Sequence, residues 1–238
     1  MPTVLITGTS RGIGLELARQ YAADGWNVIA TARDPEDSEG LGALAAKYGE
    51  KLESYPLDVT DEESIEELAD ALDGRPLDLL INNAGTYPRE GTRIGELDYE
   101  AWVETFHTNL FGVMRVTEAL LENIAQSEGK QIAAISSAMG SLRGVIDGNS
   151  VEQSGTSYQY RTSKTALNMA MAILSRELAP RGISVVAICP GWVKTDMGGR
   201  HAAIAPEVSV AGIRKVLAGF PMEITGKFLA YDGSIRPW

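Results

Sequence analysis

Cysteine and histidine are scarce in this sequence, with one Cys and two His among 238 residues. A single cysteine cannot form an intramolecular disulfide, and no thiolate metal cluster is possible, so we expect no metal site. Cys189 lies in an apolar run, where a small core residue is expected. Apolar runs of membrane-spanning length are also missing, and Met1 to Thr3 lead directly into a predicted strand, without a signal peptide. These absences predict a soluble cytoplasmic protein.

Positive charge is limited as well. Lys and Arg number 21 against 32 Asp and Glu, which gives a formal net charge of -11 and a pI of about 4.7. An acidic chain is repelled by nucleic acid and by anionic membranes, so neither is expected as a partner. The length suits one α/β domain with a substantial core, because no proline- or glycine-rich linker divides the chain.

Short apolar runs alternate with stretches of helical periodicity along the whole chain. Strands are predicted at 3–6, 27–32, 52–57, 77–81, 131–135, 183–188 and 227–231. Helices are predicted directly after residue 14 and at 41–48, 61–72, 99–127, 158–178 and 208–219, with Thr60 and Glu63 as a capping box for the third. This alternation predicts a doubly wound parallel sheet, whose ligands bind outside the carboxyl ends of the strands.

A glycine-rich stretch, Thr7–Gly14, lies between the first strand and the first helix. Glycine allows a ligand to approach the backbone closely, and the first turn of a helix offers free N–H groups and a positive dipole end. The stretch therefore predicts a pyrophosphate site. The spacing is Gly-x-x-x-Gly-x-Gly rather than the commoner Gly-x-Gly-x-x-Gly, and a plain strand–helix turn is the alternative.

Arg33 stands just past the second strand, where dinucleotide-binding folds hold the adenosine ribose. An acidic residue there would favour NAD, whereas Arg33 together with Arg11 favours the 2′-phosphate of NADP. The alternative is a surface arginine at a strand end. Asp58 could accept a hydrogen bond from an adenine amino group, with Val59 behind the ring, or it could be an ordinary turn aspartate.

Polar residues at three further places lack an obvious structural purpose. The turn Asn82–Gly85 has small residues that could line a cofactor and amides that could brace neighbouring strands. Asn109 is a mediocre helix former inside a predicted helix, so it either bonds its own backbone or marks a local irregularity. Tyr160 and Lys164 are four residues apart and share a helix face. The aperiodic stretch 141–157 is predicted to be an ordered loop over the active site.

Together these residues resemble the short-chain dehydrogenase/reductase family over nearly the whole chain. The resemblance depends on the order and spacing of Thr7–Gly14, Asp58, Asn82–Gly85, Asn109, Ser137, Tyr160 with Lys164, and Pro190-Gly191. The segments Tyr160–Asn168 and Pro190–Gly199 are similar to a narrower branch, the Sniffer-like carbonyl reductases and bacterial C-factor proteins. The implied fold is a single Rossmann-type domain over residues 1–238, with helices on both faces and a short substrate-covering region near 196–222.

The resemblance implies an NADP(H)-dependent oxidoreductase that moves a hydride between the cofactor and a small carbonyl or alcohol substrate. Tyr160 would donate the proton, and Lys164 would lower its pKa and bond the nicotinamide ribose. Ser137 would donate to the substrate oxygen, with Ser136 as the fallback. Asn109 would hold a water that links Lys164 to solvent. Between Ser137 and Tyr160 lie 22 residues, more than in most of the family, so substrate access is expected to differ.

The resemblance also implies the binding residues. Those for the cofactor are Gly8, Ser10, Arg11, Gly12, Ile13, Gly14, Arg33, Asp58, Val59, Asn83, Ala84, Gly85, Tyr160, Lys164, Pro190, Gly191, Val193 and Thr195. Among them, residues 83–85 would meet the ribose, and Val193 and Thr195 the carboxamide. An apolar substrate pocket could be formed by Tyr87, Met139, Ile146, Trp192 and Met197. Tyr158 is a poorer proton donor than Tyr160, because Thr162 occupies the position four residues on.

Two other functions remain open at this stage. The first is a cofactor-binding signalling protein of C-factor type with little turnover. The intact Ser–Tyr–Lys set argues against this function, because binding alone needs no proton relay. The second is a lyase or epimerase on the same fold. Only about 40 residues follow Thr195, which favours a small substrate and argues against the second. The helices at 99–127 and 158–178 are broad enough to pair with a second copy, so a homodimer or homotetramer is expected.

Overall fold

A computed structural model describes residues 1–148, 156–218 and 221–238. Seven parallel strands form one sheet in the order β3-β2-β1-β4-β5-β6-β7. The strands are β1 (Thr3–Thr7), β2 (Asn27–Ala32), β3 (Leu52–Pro56), β4 (Leu79–Asn82), β5 (Gln131–Ile135), β6 (Ser184–Cys189) and β7 (Phe228–Ala230).

Helices connect these strands. They are α1 (Gly12–Ala23), α2 (Glu39–Tyr48), α3 (Glu62–Leu72), α4 (Tyr99–Phe106), α5 (Gly112–Ala119), α6 (Leu121–Ala125), α7 (Leu142–Ile146), α8 (Tyr158–Leu178), α9 (Pro206–Leu217) and α10 (Pro221–Ile224). A π-helical segment, His107–Phe111, joins α4 to α5. Short 3₁₀ turns lie at Gly49–Lys51, Ala138–Gly140 and Ala179–Arg181.

Both faces of the sheet are covered, which confirms the doubly wound prediction. Successive residues of a strand point to opposite faces. Val4 and Ile6 of β1 belong to a core that also contains residues of α1, α2 and α9. Leu5 belongs to the opposite core, with residues of α3, α5 and α8. The near-continuous apolar runs in the sequence follow from this two-sided burial.

The order of the strands positions the functional residues. The chain builds β1 to β3 toward one edge of the sheet and β4 to β7 toward the other, so β1 and β4 lie side by side at the reversal point. A crevice opens outside the carboxyl ends of the strands at such a point. The glycine turn follows β1 and the turn Asn82–Gly85 begins at the end of β4, so both reach the same crevice.

The predicted helix at 99–127 is interrupted twice. The first interruption is the π-helical segment, which contains Asn109. The second lies at Leu120, which separates α5 from α6. Apolar residues recur at helical spacing on both sides of each interruption, so the apolar pattern did not reveal either one. The expectation that Asn109 marks a local irregularity is therefore consistent with the structure.

The predicted capping box at Thr60 is wrong. Asp61 is the N-cap of α3, and its Oδ1 accepts a hydrogen bond from Glu63 N at 3.1 Å. Thr60 instead donates from its N and Oγ1 to Asp58 Oδ1, at 2.9 and 2.7 Å. The Thr60 hydroxyl that the capping box would have used is thus bonded to Asp58, and Asp61 caps the helix instead.

The stretch 141–157 is only partly a loop. Residues Leu142–Ile146 form α7, which Ser141 caps through a hydrogen bond from Gly144 N to Ser141 Oγ at 2.9 Å. The rest of that prediction falls partly on residues 149–155, and the predicted end of the helix at 208–219 falls on residue 219; both lie outside the described residues. Among the helices that are described, none is long and apolar enough to cross a membrane.

Candidate functional site

A cleft of about 620 Å³ runs along the carboxyl ends of the strands. Its lining includes the predicted cofactor residues Gly8, Ser10, Arg11, Gly12, Ile13, Gly14, Arg33, Asp58, Val59, Asn83, Ala84, Gly85, Tyr160, Lys164, Pro190 and Thr195. Residues separated by up to 187 positions in the sequence therefore converge on one elongated cavity.

Two predicted cofactor residues do not line this cleft. Val193 is buried and pairs with Ile204 in an isolated β-bridge. Gly191 packs against Ile204 and Tyr231. The segment after β6 turns inward at these positions, and spacing along the chain does not indicate that turn.

The glycine turn is held by the end of β4. Asn83 Nδ2 donates to Thr7 O and Gly8 O at 2.8 and 3.0 Å, and Thr7 Oγ1 accepts from Asn83 N at 3.0 Å. A Cβ at Gly14 would overlap Gly8 O, so the turn closes only on glycine. Arg11, the N-cap of α1, makes no side-chain capping hydrogen bond. The first-turn amides of α1 therefore present a positive dipole end at the cleft.

One end of the cleft carries the groups expected to distinguish NADP from NAD. Arg33 is exposed at the end of β2, and Arg11 is exposed beside the glycine turn. Asp58 lines the same end, with its Oδ1 occupied by Thr60. Val59 is buried behind it. The two cations and the carboxylate thus line the same cleft.

The opposite end carries Tyr160 and Lys164 of α8, which are both buried. Lys164 Nζ donates to Ile135 O at 2.8 Å and lies 5.7 Å from the centroid of the Tyr160 ring. Burial lowers the pKa of Lys164 to about 8, and nearby Cys189 partly opposes that shift. A lysine with such a pKa carries its charge at neutral pH and loses it under mildly alkaline conditions.

The pKa of Tyr160 moves opposite to the direction that the resemblance implied. Burial raises it well above the ordinary value for tyrosine, and a hydrogen bond from Ser137 lowers it only in part. The ammonium group of Lys164 bonds to the Ile135 carbonyl rather than to the phenol, so desolvation dominates. The phenol of Tyr160 therefore keeps its proton at neutral pH in this structure.

The two adjacent serines point to different partners. The hydroxyl of Ser137 bonds to Tyr160, and it also accepts from Met139 N at 3.2 Å. Ser136 is buried, and its Oγ donates to Asn168 Oδ1 at 2.6 Å. The geometry thus places the Ser137 hydroxyl beside the phenol and turns that of Ser136 toward Asn168, although it is Ser136 and not Ser137 that is among the lining residues of the cleft.

Asn109 is fully buried behind the cleft. Its Nδ2 donates to Thr86 O and Ser163 Oγ at 3.0 and 3.1 Å, and its Oδ1 accepts from Thr86 N at 2.8 Å. Both amide hydrogens are used on protein groups, so the side chain can give a water only the remaining lone pair of Oδ1. Its clear contribution is to join the turn after β4 to α8.

Several lining residues were not identified from the sequence. They are Ala32, Leu57, Thr60, Thr86, Arg89, Glu104, Thr108, Ile135 and Asp196, whereas Ser136 was expected only as the fallback for the active serine. Thr86 directly follows the turn Asn82–Gly85, and that adjacency could have indicated it. Glu104 and Thr108 stand four apart on the helix that carries Asn109, and their spacing was the available signal. Nothing in the local sequence distinguishes the others.

Asp196 joins two loops across the mouth of the cleft, and we call Arg11, Arg89 and Asp196 the mouth bridge. Arg89 donates to the backbone oxygen of Asp196 at 2.6 Å. Arg11 Nε lies 3.4 Å from Asp196 Oδ2, and both side chains of this ion pair are largely exposed. The cleft is therefore spanned by contacts that water can reach.

The predicted apolar pocket is only partly assembled around the cleft. Tyr87 and Met197 line it, and the Tyr87 ring lies 4.7 Å from that of Tyr160. Met139, Ile146 and Trp192 are not part of its lining. Ile146 is exposed on α7, and Trp192 Nε1 donates to Gly198 O at 2.8 Å.

Comparisons with known proteins agree with this geometry. The profile of the short chain dehydrogenase family matches residues 2–203. The C-signal of Myxococcus xanthus is 40% identical over 163 residues, which cover 68% of this chain and 93% of that protein. The NADPH-bound carbonyl reductase from chicken fatty liver superposes with a TM-score of 0.90 at 34% identity, covering 100% of this chain and 99% of that one. The carbonyl reductase Sniffer of D. melanogaster gives 0.89 at 30% identity, with both chains fully covered.

Proposed function

This chain belongs to the short-chain dehydrogenase family, and from that premise we propose that it is an NADP(H)-dependent carbonyl reductase. It moves a hydride between the nicotinamide cofactor and a small carbonyl or alcohol substrate. The observation that carries the proposal is that Tyr160 and Lys164 meet in the lining of a dinucleotide-sized cleft, with the Ser137 hydroxyl bonded to the phenol. A module that only bound a cofactor would not need a hydroxyl pair backed by a buried lysine.

The residues present fit a dinucleotide. The first-turn amides of α1 suit a pyrophosphate, and Arg33 with Arg11 suits a 2′-phosphate, so NADP is preferred over NAD. Residues 83–85 would meet the nicotinamide ribose, and Thr195 would meet its carboxamide. When bound, the cofactor supplies or accepts the hydride. The NADPH in the chicken carbonyl reductase structure supports this choice.

Tyr160 and Ser137 polarise and protonate the substrate oxygen. The phenol of Tyr160 carries its proton at neutral pH and can donate it to a carbonyl oxygen, although burial raises its pKa and makes it a weaker acid than a free tyrosine. The Ser137 hydroxyl lies against the phenol and donates to the same oxygen, which stabilises the negative charge that develops there. Lys164 places a positive charge behind the pair, and this charge stabilises the phenolate that remains after proton transfer.

The remaining parts of the proposal concern assembly and location. Asn109 keeps the turn after β4 in contact with α8. One domain carries the whole site, and the segment near 196–222 covers the substrate. Two copies pair through the exposed apolar side chains of α4 and α8, in the cytoplasm.

A second candidate is a signalling protein of C-factor type that binds the cofactor with little turnover. The 40% identity to the C-signal of Myxococcus xanthus favours it. The complete convergence of Ser137, Tyr160 and Lys164 favours the reductase, because binding alone does not require a proton donor.

A panel of small ketones, aldehydes and quinones, tested with NADPH and NADH in parallel, separates the two candidates. We expect oxidation of NADPH, visible as loss of its absorbance, with at least one carbonyl. Tyr160→Phe should lower kcat by at least about 100-fold while leaving the Kd for NADPH within about twofold. The matched control is Tyr158→Phe, which changes an exposed tyrosine on the same helix and should retain turnover. Tight NADPH binding without turnover on any carbonyl would instead support the signalling protein.

A further inference from the structure

We infer that Asn168 is a positioning residue, which fixes the turn Ser136–Gly140 on α8 so that the Ser137 hydroxyl meets Tyr160. This inference rests on the reductase proposed above. Asn168 follows Lys164 by four residues and Tyr160 by eight, so the three side chains lie along one face of α8. One helix therefore carries the proton donor, its supporting cation and the group that holds the serine turn.

Asn168 forms hydrogen bonds with the turn on both sides of Ser137. Its Oδ1 accepts from Ser136 Oγ at 2.6 Å, and its Nδ2 donates to Gly140 O at 3.2 Å. The side chain is buried, so water does not replace either bond. Ser137 lies between the two attachment points and carries no bond to Asn168, which leaves its hydroxyl for Tyr160.

The turn lies directly on the helix backbone. A Cβ at Gly140 would come within 2.8 Å of the Lys164 carbonyl carbon and 2.9 Å of its Cβ. Such an approach requires glycine and allows the short Asn168 side chain to reach both ends of the turn. Thr165 Oγ1 lies 3.0 Å from Gly140 O and 2.9 Å from Arg161 O, so its single hydrogen is shared between these two acceptors. Lys164 Nζ holds the carbonyl of Ile135, the residue just before the turn.

These attachments are not equivalent. Loss of Asn168 leaves Ile135 bound to Lys164 and leaves the Thr165 hydroxyl free to donate to Gly140, so the turn stays on the helix. It releases only the hydroxyl of Ser136, the residue adjacent to Ser137, while the Ser136 backbone N still donates to Ile188 O at 2.7 Å. The expected consequence is a small rotation of Ser137 away from Tyr160, without loss of the fold. Displacements of this size reduce turnover strongly, because hydrogen bonds at a reacting oxygen depend on geometry.

A double-mutant cycle between Asn168 and Ser137 tests this inference. Asn168→Ala should lower kcat by about tenfold and change the Kd for NADPH by less than about twofold. In the Ser137→Ala background, the same change should cost less than about threefold, because the hydroxyl that it positions is gone. Ser136→Ala removes the other half of the buried pair and should lower kcat by about threefold, again only when Ser137 is present.

Asn123→Ala is the matched control. Asn123 is another buried asparagine, and its Nδ2 donates to Arg75 O at 2.9 Å, away from the cleft. It should lose stability as Asn168→Ala does and keep its kcat. Equal kcat values for the two asparagine variants, or additive losses in the cycle, would overturn the inference while leaving the reductase in place. If Ser137→Ala itself kept full turnover, the serine assignment in the proposed function would be wrong instead. Should Asn168→Ala fail to fold, the Ser136→Ala arm of the cycle decides the question.

Discussion

At the scale of single residues, Tyr160 and Lys164 show how burial sets the chemistry of a site. The spacing of the pair suggested that the lysine would bring the tyrosine toward ionisation. Desolvation instead raises the pKa of the tyrosine and lowers that of the lysine to about 8. Both shifts favour the neutral form, and the proton therefore stays on the phenol until a substrate oxygen takes it.

The buried charge of Lys164 predicts a dependence of stability on pH. The folded-state pKa of about 8 lies below the ordinary value of 10.5, so the cost of burying the charge is fully present below about pH 8. Between these values the unfolded chain binds a proton that the folded chain does not, so the cost is relieved as pH rises. Relative to Lys164→Met, the wild type should gain about 2 kcal/mol in the free energy of unfolding from pH 7 to about pH 9.5.

Urea unfolding at several pH values measures this difference. Lys51→Met, which removes an exposed lysine, gives the contribution of net charge alone. A constant difference between the wild type and Lys164→Met across this range would mean that Lys164 is not desolvated in the folded state.

Arg33 predicts the choice between the two nicotinamide cofactors. Arg33→Ala should weaken NADPH binding by about tenfold or more and change NADH binding by less than about twofold, because only NADPH carries the 2′-phosphate. Titration of the intrinsic fluorescence gives both Kd values. Arg181→Ala, at an exposed arginine paired with Glu122, is the control and should alter neither. Equal losses for both cofactors would assign Arg33 a role in folding or in binding the shared part of the dinucleotide.

At the scale of elements, sequence patterns located regular structure well and local exceptions poorly. The predicted bounds of β2, β5 and α8 agree with the structure, because two-sided burial and a long apolar face leave clear periodicities. The π-helical segment and α7 were not predicted. A π turn depends on a single additional residue, and five-residue helices have too few positions to show a period.

The same limit applies to the site. Sixteen of the cofactor residues that the resemblance implied line the cleft; most of them follow a strand end or lie in the glycine turn, and Tyr160 and Lys164 share a face of α8. The absence of Gly191 and Val193 from the lining, and the omission of Arg89 and Asp196 from the prediction, have another cause. The paths of the loops after β4 and β6 depend on contacts with distant segments, such as the bridge between Val193 and Ile204.

The N-terminus of α3 provides a test at this scale. Asp61→Ala should lower the free energy of unfolding by about 1 kcal/mol, because it removes the side-chain acceptor for Glu63 N. Thr60→Ala should cost less, since its hydroxyl bonds an exposed carboxylate rather than the helix end. Chemical denaturation of the two variants compares them directly. A larger loss for Thr60→Ala would restore the capping box that the sequence suggested.

At the scale of the whole molecule, apolar side chains remain exposed on two neighbouring helices. Val103 on α4 and Met169 and Ile173 on α8 are each more than half exposed, and α4 contacts α8. Scattered exposed apolar residues are ordinary, whereas a continuous group on packed helices suits an interface. This surface supports the proposed pairing of two copies.

A charge placed on this surface should separate the copies. We expect wild type to elute as a dimer or tetramer and Ile173→Glu as a monomer, measured by size-exclusion chromatography with light scattering. Burying an unpaired carboxylate in an apolar interface is costly, which is the physical reason. Val208→Glu, at a comparably exposed position on α9, should leave the assembly unchanged. A monomeric wild type would contradict the pairing.

The mouth bridge has a consequence for how fast a dinucleotide exchanges. Both of its arginines reach Asp196 through solvent-exposed contacts, and an exposed ion pair contributes at most about 1 kcal/mol. That energy is comparable to the thermal energy, so the two loops part and rejoin without disturbing the sheet. The contacts inside the cavity, rather than the loops at its entrance, then limit ligand release. Added salt weakens the mouth bridge, but opening of the loops is not the limiting step, so this weakening should change the dissociation rate of the ligand little.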